Sequence, residues 1–402
     1  MIIIEGLRIQ NFRVLKDVTI GRSYSQDTDC PLTSISAVIG KNGSGKSTLF
    51  DAFVFLNDCF SIGVESACNN KNRGGFERLI SSGSVLPIRF ELSYREMTHE
   101  MYYRYVLVIA LDKSGQPFIS EEKLIQQCNS NTSCVLLHFQ NSRGIVWPDN
   151  DAVEKKETDH IKLELTDNTR PAVSVLGSLK DYPQLTQLKQ FIQGWYISQF
   201  NVDFARGIPK AGPQKQLNPN GDNISNVVQY MEREHKSTFQ NILHAISDKI
   251  PGISNIATKT TDDGRILLCF NDKAFHDTFL ANQMSNGTLK LFAYLLLLEL
   301  PNSPQFICIE EPENGLYHKL LEILATEFRH ATLAKKINQF FITTHQPYFV
   351  DALSPEETWL LEKGRDGFSY IQRACDNRIV KAMVDEGLTL GSLWYSDYLD
   401  TR

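Results

Sequence analysis

Lys46 and Ser47 close the run Gly40-Lys41-Asn42-Gly43-Ser44-Gly45-Lys46-Ser47, which fits the phosphate-cradling pattern GxxxxGK[ST] at every fixed position. A glycine-rich turn between a strand and a helix aims successive backbone N–H groups at phosphate oxygens, and the helix N-terminus adds a favourable dipole. Lys46 is placed to reach the β- and γ-phosphates, and the Ser47 hydroxyl to ligate Mg²⁺. Gly40, Asn42, Gly43, Ser44, Gly45, Lys46, Ser47 and Thr48 are therefore the candidate residues for a nucleoside triphosphate, ATP, bound with Mg²⁺. Three further runs carry chemistry. Gln305 to Asn314 is an apolar stretch ending in the consecutive carboxylates Glu310 and Glu311; Glu310 suits Mg²⁺ held through water, and Glu311 suits polarisation of an attacking water. Phe341-Ile342-Thr343-Thr344-His345 delivers a histidine to the end of a second apolar run, where it can meet a γ-phosphate and that water. Met284-Ser285-Asn286-Gly287-Thr288 precedes a long apolar helix, and Ser285 and Gly287 there form a second anion site. If it serves the same nucleotide as the first loop, it must come from another subunit. Each run also has a plain reading: a glycine turn, a solvated acidic turn, an incidental histidine, a helix cap. Their occurrence together in one chain favours the chemical reading.

These residues need strands that end in ligand-facing loops. Residues 34–39 read as the strand before the phosphate loop, and residues 49–60 as the helix after it. Phe306–Ile309 and Gln339–Thr343 read as short buried strands flanked by helices, a parallel α/β layout in which ligands sit at strand C-terminal ends. Ahead of the phosphate loop, residues 2–21 alternate apolar and polar and read as two strands with a turn near Asn11-Phe12-Arg13. Residues 69–84 are polar and glycine-rich, a loop near the nucleotide. From Val85 to about Leu165 the period is two, with strands at 87–94, 103–109, 119–125, 134–139 and 161–165 forming an antiparallel meander; residues 140–160 are polar and expected to be mobile. A helix is expected over 183–200, ending in Trp195-Tyr196-Ile197, then a loop over 205–221. One long amphipathic helix is expected over 223–250, capped by Asp222 or Asn223. The core is thus split: residues 1–84 carry the phosphate loop, 85–170 an antiparallel β subdomain, 171–280 an inserted helical lobe, and 281–402 the rest of the core.

The 402 residues are 42% apolar and 22% charged, ordinary for a soluble globular chain, with a net charge of -6. That charge argues against a surface built wholly to grip nucleic acid, although a local basic groove stays open. Eight cysteines with no CxxC pairing fit a reducing compartment. The N-terminus Met1-Ile2-Ile3-Ile4-Glu5 is not built like a signal peptide, and the longest apolar run, Leu291 to Leu298, is too short to span a bilayer. A cytoplasmic protein with no membrane partner is expected.

The order of phosphate loop, Ser-x-Gly-Thr at a helix start, apolar strand with Glu-Glu, and strand with His resembles ABC-type ATPases. Among them it is similar to the branch related to RecF, SMC heads and the ATPase domain of OLD nucleases. Ile4 to Arg13 looks like that branch's I-x-x-F-R opening, and Ile309 to His318 like its extended Walker B and D-loop. Arg73-Gly74-Gly75-Phe76 and Leu390-Gly391-Ser392-Leu393-Trp394-Tyr395-Ser396 also resemble bacterial predicted ATPases of this group. The resemblance implies an α/β fold, a split ABC-type P-loop NTPase core with an antiparallel β subdomain and an inserted, mostly helical lobe. It implies ATP hydrolysis with Lys46, Glu311 and His345 as catalytic residues, Ser47 and Glu310 at the metal, and Arg13 near the nucleotide. It also implies a homodimer with two nucleotides sandwiched, each phosphate loop facing the partner copy's Ser285-Asn286-Gly287 run. Two departures stand out: Glu310 replaces the usual Asp, as OLD-type ATPases also have it, and Ser-Asn-Gly-Thr replaces Ser-Gly-Gly-Gln. No nuclease segment follows His345, so the resemblance suggests a switch acting on a separate effector, in bacterial defence against phage. The alternative is a RecF-like DNA-binding ATPase of repair or recombination. Against it, the only basic pairs are scattered, Lys155-Lys156 and Lys335-Lys336.

Overall fold

A computed structural model describes residues 1–23, 30–129, 132–148, 160–250, 252–274, 277–334 and 337–399. The polar stretch 149–159, with Lys155-Lys156, and the pair Lys335-Lys336 lie outside the described residues. The chain forms two compact units, one from Met1–Trp195 and Pro355–Met383, the other from Tyr196–Ser354 and Val384–Tyr398.

The first unit opens with the hairpin β1 (Ile2–Phe12) and β2 (Leu15–Gly21), whose register pairs Ile9 with Val18 and Phe12 with Leu15. The turn takes left-handed backbone at Asn11 and Arg13. Next come β3 (Ile35–Ile39), wholly buried, and α1 (Lys46–Ile62), which runs uninterrupted because it holds no glycine or proline until Gly63. Short helices α2 (Val64–Asn69) and α3 (Phe76–Leu79) follow, then β4 (Ile88–Glu96), β5 (Met101–Leu111), β6 (Pro117–Asn129), β7 (Thr132–Gln140), β8 (Arg143–Val146) and β9 (Ile161–Glu164). All belong to one antiparallel sheet in the order β2-β1-β4-β5-β6-β7-β8-β9. The expected meander is present, continuous with the N-terminal hairpin and one strand richer, since β8 lies within the polar 140–160 stretch. Helices α4 (Ala172–Leu176) and α5 (Pro183–Gln193) complete this part.

The core of this unit fixes the helix that follows the phosphate loop. Phe12 of β1, Phe55 of α1 and Phe90 of β4 meet with ring centroids 5.4–5.8 Å apart, and each is fully buried. Farther along α1, Phe60 meets Tyr105 of β5 edge-on at 5.5 Å. Each such ring contributes roughly 1.5–3 kcal/mol by burial alone, so α1 cannot slide without opening the sheet face.

The second unit begins with β10 (Tyr196–Ser198) and α6 (Val202–Ala205). The expected helix over 183–200 therefore ends early: Gly194 closes α5, and the β-favouring Tyr196-Ile197 pair with the buried strand β14 instead, Ile197 opposite Cys308. The expected single helix over 223–250 is two, α7 (Ile224–Glu234) and α8 (Lys236–Lys249), broken at His235 (φ -133°, ψ 48°). Residues 232–237 are all polar, so nothing apolar holds that turn. Glu232 instead accepts the backbone N–H of Thr258 at 3.2 Å. Asn223 does not cap α7 with its side chain; it spans the preceding loop, donating to Gln216 O (2.8 Å) and accepting from Asn218 N (2.8 Å). Strands β11 (Ile253–Thr260), β12 (Ile266–Asp272) and β13 (Thr278–Leu280) form a three-stranded antiparallel sheet, so residues 171–280 hold strands as well as helices.

Then come α9 (Asn286–Leu298), β14 (Phe306–Glu310), α10 (His318–Leu333), β15 (Gln339–Thr344) and α11 (Pro347–Val350). Strands β10, β14 and β15 are parallel neighbours in that order, with Glu310 opposite Thr343. Helix α9 is buried on almost every side from Leu289 to Leu298; Phe292 packs on Phe270 of β12, and Tyr294 on Phe328 of α10. The chain returns to the first unit as β16 (Thr358–Lys363), parallel to β3, and β17 (Ser369–Arg373), antiparallel to β16; α12 (Arg378–Asp385) follows, and α13 (Leu390–Tyr395) belongs to the second unit. Among the described residues, no helix is long and apolar enough to cross a membrane.

Candidate functional site

In the first unit Gly40–Gly45 form the loop between β3 and α1, and Lys46 and Ser47 open the helix, as the pattern requires. Gly43 and Gly45 take φ of 81° and 108°, conformations open to glycine. A Cβ on Gly45 would lie 2.5 Å from Ser369 Oγ and 3.0 Å from Val14, whereas Gly43 faces open space. The wall behind the loop is thus made by β17, and Ser369 Oγ donates to Ser44 O at 2.7 Å. Lys46 is buried and folded back on its own loop, its ammonium donating to Gly40 O (2.6 Å) and Lys41 O (3.3 Å). Asn42 and Ser47 are exposed, Thr48 half-buried. The glycine cradle, an ammonium above it and an exposed hydroxyl at the helix start fit a polyphosphate with its metal.

Arg13 pairs with Asp51 of α1 at 2.9 Å, one turn beyond Ser47. Asp51 also takes Arg73, which donates to it at 2.8 and 3.0 Å and to Asp58 at 2.7 Å. Arg73 is buried, yet its carboxylate partners outweigh desolvation and keep its pKa raised. The glycine-rich 69–84 segment is therefore pinned to α1 through Arg73.

In the second unit the carboxylates and the histidine converge. Glu311 follows β14 with φ 44°, a left-handed conformation that is costly for a residue with a Cβ and typical of working sites. Its backbone N–H donates to Thr343 O (2.9 Å), and Asn314 Nδ2 donates to its Oε2 (2.9 Å). His345 Nδ1 lies 3.2 Å from Glu311 Oε1 and 3.4 Å from Glu313 Oε1. With carboxylate oxygens on that side, Nδ1 carries the hydrogen. Glu313 is almost wholly buried and accepts from Thr344 Oγ1 (2.7 Å) and His345 N (3.0 Å). Glu310 ends β14 beside Thr343, half-buried.

The Ser285–Gly287 run starts α9, where Ser285 Oγ caps the helix by accepting Thr288 N at 3.1 Å. Gly287 packs against the backbone of Gly315, where a Cβ would lie 2.9 Å from its carbonyl oxygen. Arg206 braces the start, donating to Met284 O and Asn286 Oδ1, both at 2.8 Å. Beneath it Lys290 is buried, its ammonium donating to Glu311 O (3.3 Å) and Asn314 O (3.0 Å). Burial pulls its pKa down to about 8, with Glu313 and Glu311 opposing. The helix carrying the Ser-x-Gly run is thus bonded to the backbone of Glu311.

The same arrangement of elements occurs in known proteins. A family model described as "AAA domain, putative AbiEii toxin, Type IV TA system" matches residues 35–351, from the strand before the phosphate loop to beyond His345. The chain belongs to this AAA family. Two solved structures share the fold of this AAA-family chain. An SMC head bound to the C-winged helix domain of ScpA is 16% identical with a TM-score of 0.55, covering 92% of this chain and 97% of that one. A second, the SMC head domain with an extended coiled coil bound to the C-terminal domain of ScpA from Pyrococcus furiosus, is 13% identical with a TM-score of 0.51, covering 96% and 100%. No curated protein matches. The AAA-family chain therefore has the SMC-head, ABC-type P-loop ATPase fold.

Each site residue named from the sequence lies at a strand end, loop or helix start of its unit. Arg13 stands beside the phosphate-loop helix, and Glu311 and His345 touch. Glu313, Lys290 and Arg206 bind the cluster together and have no counterpart among the residues named from sequence. A lone lysine in the otherwise apolar Leu289–Leu298 stretch is the signal that could reveal Lys290, since a buried ammonium must find acceptors.

Proposed function

We propose that this AAA-family chain hydrolyses ATP with Mg²⁺ and that the nucleotide controls pairing of two copies, a change read by a separate effector protein in anti-phage defence. The observation that carries the reading is the strained Glu311, held by His345 and Asn314, in a chain that also owns a complete phosphate loop. In this reading Lys46 gives up its loop carbonyls for phosphate oxygens. Ser47 and Glu310 hold the metal, which neutralises charge on the transferring phosphoryl group. Glu311 accepts the proton of the attacking water, and His345 keeps Glu311 oriented. Arg13 lies where it can add positive charge on the nucleotide side. Ser285, Asn286 and Gly287 of one copy complete the phosphate contacts of the other. The family description as a toxin supports a defence setting, and the ScpA domain on an SMC head offers a precedent for a partner protein on this fold.

Phosphate release and sizing test the reading. Wild type is expected to release phosphate from ATP and Lys46→Ala to release none. Glu311→Gln with ATP is expected to elute as a dimer, and wild type with ADP as a monomer. A monomeric Glu311→Gln with ATP would overturn the pairing, and equal phosphate release from wild type and Lys46→Ala would overturn the hydrolysis.

A further inference from the structure

The segment Leu390–Ser396 takes no part in the chemistry above, yet it is built onto it. Helix α13 is capped by Thr389, whose Oγ1 accepts Ser392 N at 3.3 Å, and it buries Leu390, Gly391 and Leu393. Gly391 N donates to Asp351 Oδ1 at 2.7 Å. A Cβ at Gly391 would collide with Pro347 O and with Asp351 Oδ1, so only glycine allows the helix this close to the turn after β15. One helical turn on, Trp394 Nε1 donates to His345 O at 3.0 Å.

This last bond completes a three-point grip on one residue. The backbone N–H of His345 donates to Glu313 Oε1 at 3.0 Å, its ring Nδ1 faces Glu311 Oε1 at 3.2 Å, and its carbonyl takes the Trp394 indole. The turn itself is closed by Gln346 N donating to Thr344 Oγ1 at 3.2 Å. With N–H and C=O both held, the peptide planes on either side of His345 are fixed, and the ring retains only its own side-chain torsions. Two of the anchors come from the carboxylate cluster. The third comes from the C-terminal helix, which carries no catalytic group.

We infer that Trp394 is a positioning residue for His345, so that the docking of α13 sets the rate of hydrolysis rather than the affinity for nucleotide. The inference rests on the ATPase reading and on His345 acting in it. The indole N–H is the polar group that Trp394 offers, and it is spent on the His345 carbonyl rather than on a phosphate-binding or metal-binding residue. Asp351 is the second hold on the same helix.

Trp394→Phe keeps an aromatic ring and removes the N–H. It is expected to lower kcat about tenfold, to leave KM and the affinity for a fluorescent ATP analogue unchanged, and to leave Tm within a few degrees. Asp351→Ala, which loosens α13 without altering Trp394 or His345, is expected to lower kcat in the same way. In a His345→Ala background Trp394→Phe is expected to add no further loss, because it acts through that histidine. Wild-type kcat in both variants, or a full multiplicative loss in the His345→Ala background, would overturn the inference. Lys46→Ala is run alongside: if wild type and Lys46→Ala release phosphate equally, the ATPase reading is what fails. Amide exchange then decides the positioning alone, with faster exchange across residues 344–351 in Trp394→Phe supporting it and unchanged exchange overturning it.

Discussion

Lys290 shows how much a single buried charge can be asked to do. Its ammonium sits inside an apolar helix and satisfies two carbonyls, those of Glu311 and Asn314, that bracket the loop after β14. One of them belongs to the residue with left-handed backbone. The lysine therefore helps hold a conformation that a residue with a Cβ resists. Lys290→Met keeps the volume and removes the donor. Both carbonyls lose a charged partner and the buried Glu313 loses a nearby cation, so the expected cost is about 3 kcal/mol, measured by urea unfolding. Phosphate release should fall as well, with Lys290→Arg recovering part of it. Equal stability of Lys290→Met and wild type would show that the two carbonyls find other partners.

At the scale of elements, the joint between the meander and α4 titrates. The Glu122 carboxylate of β6 accepts from the backbone N–H groups of Ala172 and Val173 and from Tyr105 OH, all buried. Desolvation outweighs these donors and raises its pKa to about 7. The folded protein thus binds this proton more tightly than the unfolded chain does. This contribution to stability is full below about pH 4.5 and lost as pH rises through about 7, with a slope that approaches roughly 1.4 kcal/mol per pH unit between those limits. Unfolding titrations should show that decline in wild type and a flatter profile in Glu122→Gln. Elements like β3, β14 and β15 are legible in the sequence because each is a short, mainly apolar run that leads into a glycine or a polar residue. The split of residues 223–250 at His235 is not, because Ile224 to Met231 and Phe239 to Ile246 share one helical period; only the seven polar residues between them mark the break. The β11–β12 hairpin carries its own signal in Asp262-Asp263-Gly264, with Gly264 at φ 77°, beside alternating Ile266, Leu268 and Phe270. The candidate site is legible as far as Glu311 and His345, whose order along the chain mirrors the neighbouring strands β14 and β15. Glu313, Trp394 and Asp351 are not, because their roles come from the direction of side chains across packed elements, and no local pattern encodes that.

The whole molecule is assembled from segments far apart in sequence. Strand β3 has β16 as its parallel neighbour, and the phosphate loop is walled by Ser369 of β17, both from the far end of the chain. A chain ending at Ser354 retains every residue of the GxxxxGK[ST] pattern and loses that wall. It is expected to bind no fluorescent ATP analogue, where the full chain binds it, and analogue binding by the shortened chain at the full chain's affinity would show that β16 and β17 are dispensable. The late arrival of β17 has a consequence for synthesis. A polypeptide leaving the ribosome displays its phosphate-loop residues early but acquires their walled geometry only when β16 and β17 emerge, since contacts this distant form late. If the loop holds a nucleotide as proposed, its capture reports that β16 and β17 have been made and have docked beside β3.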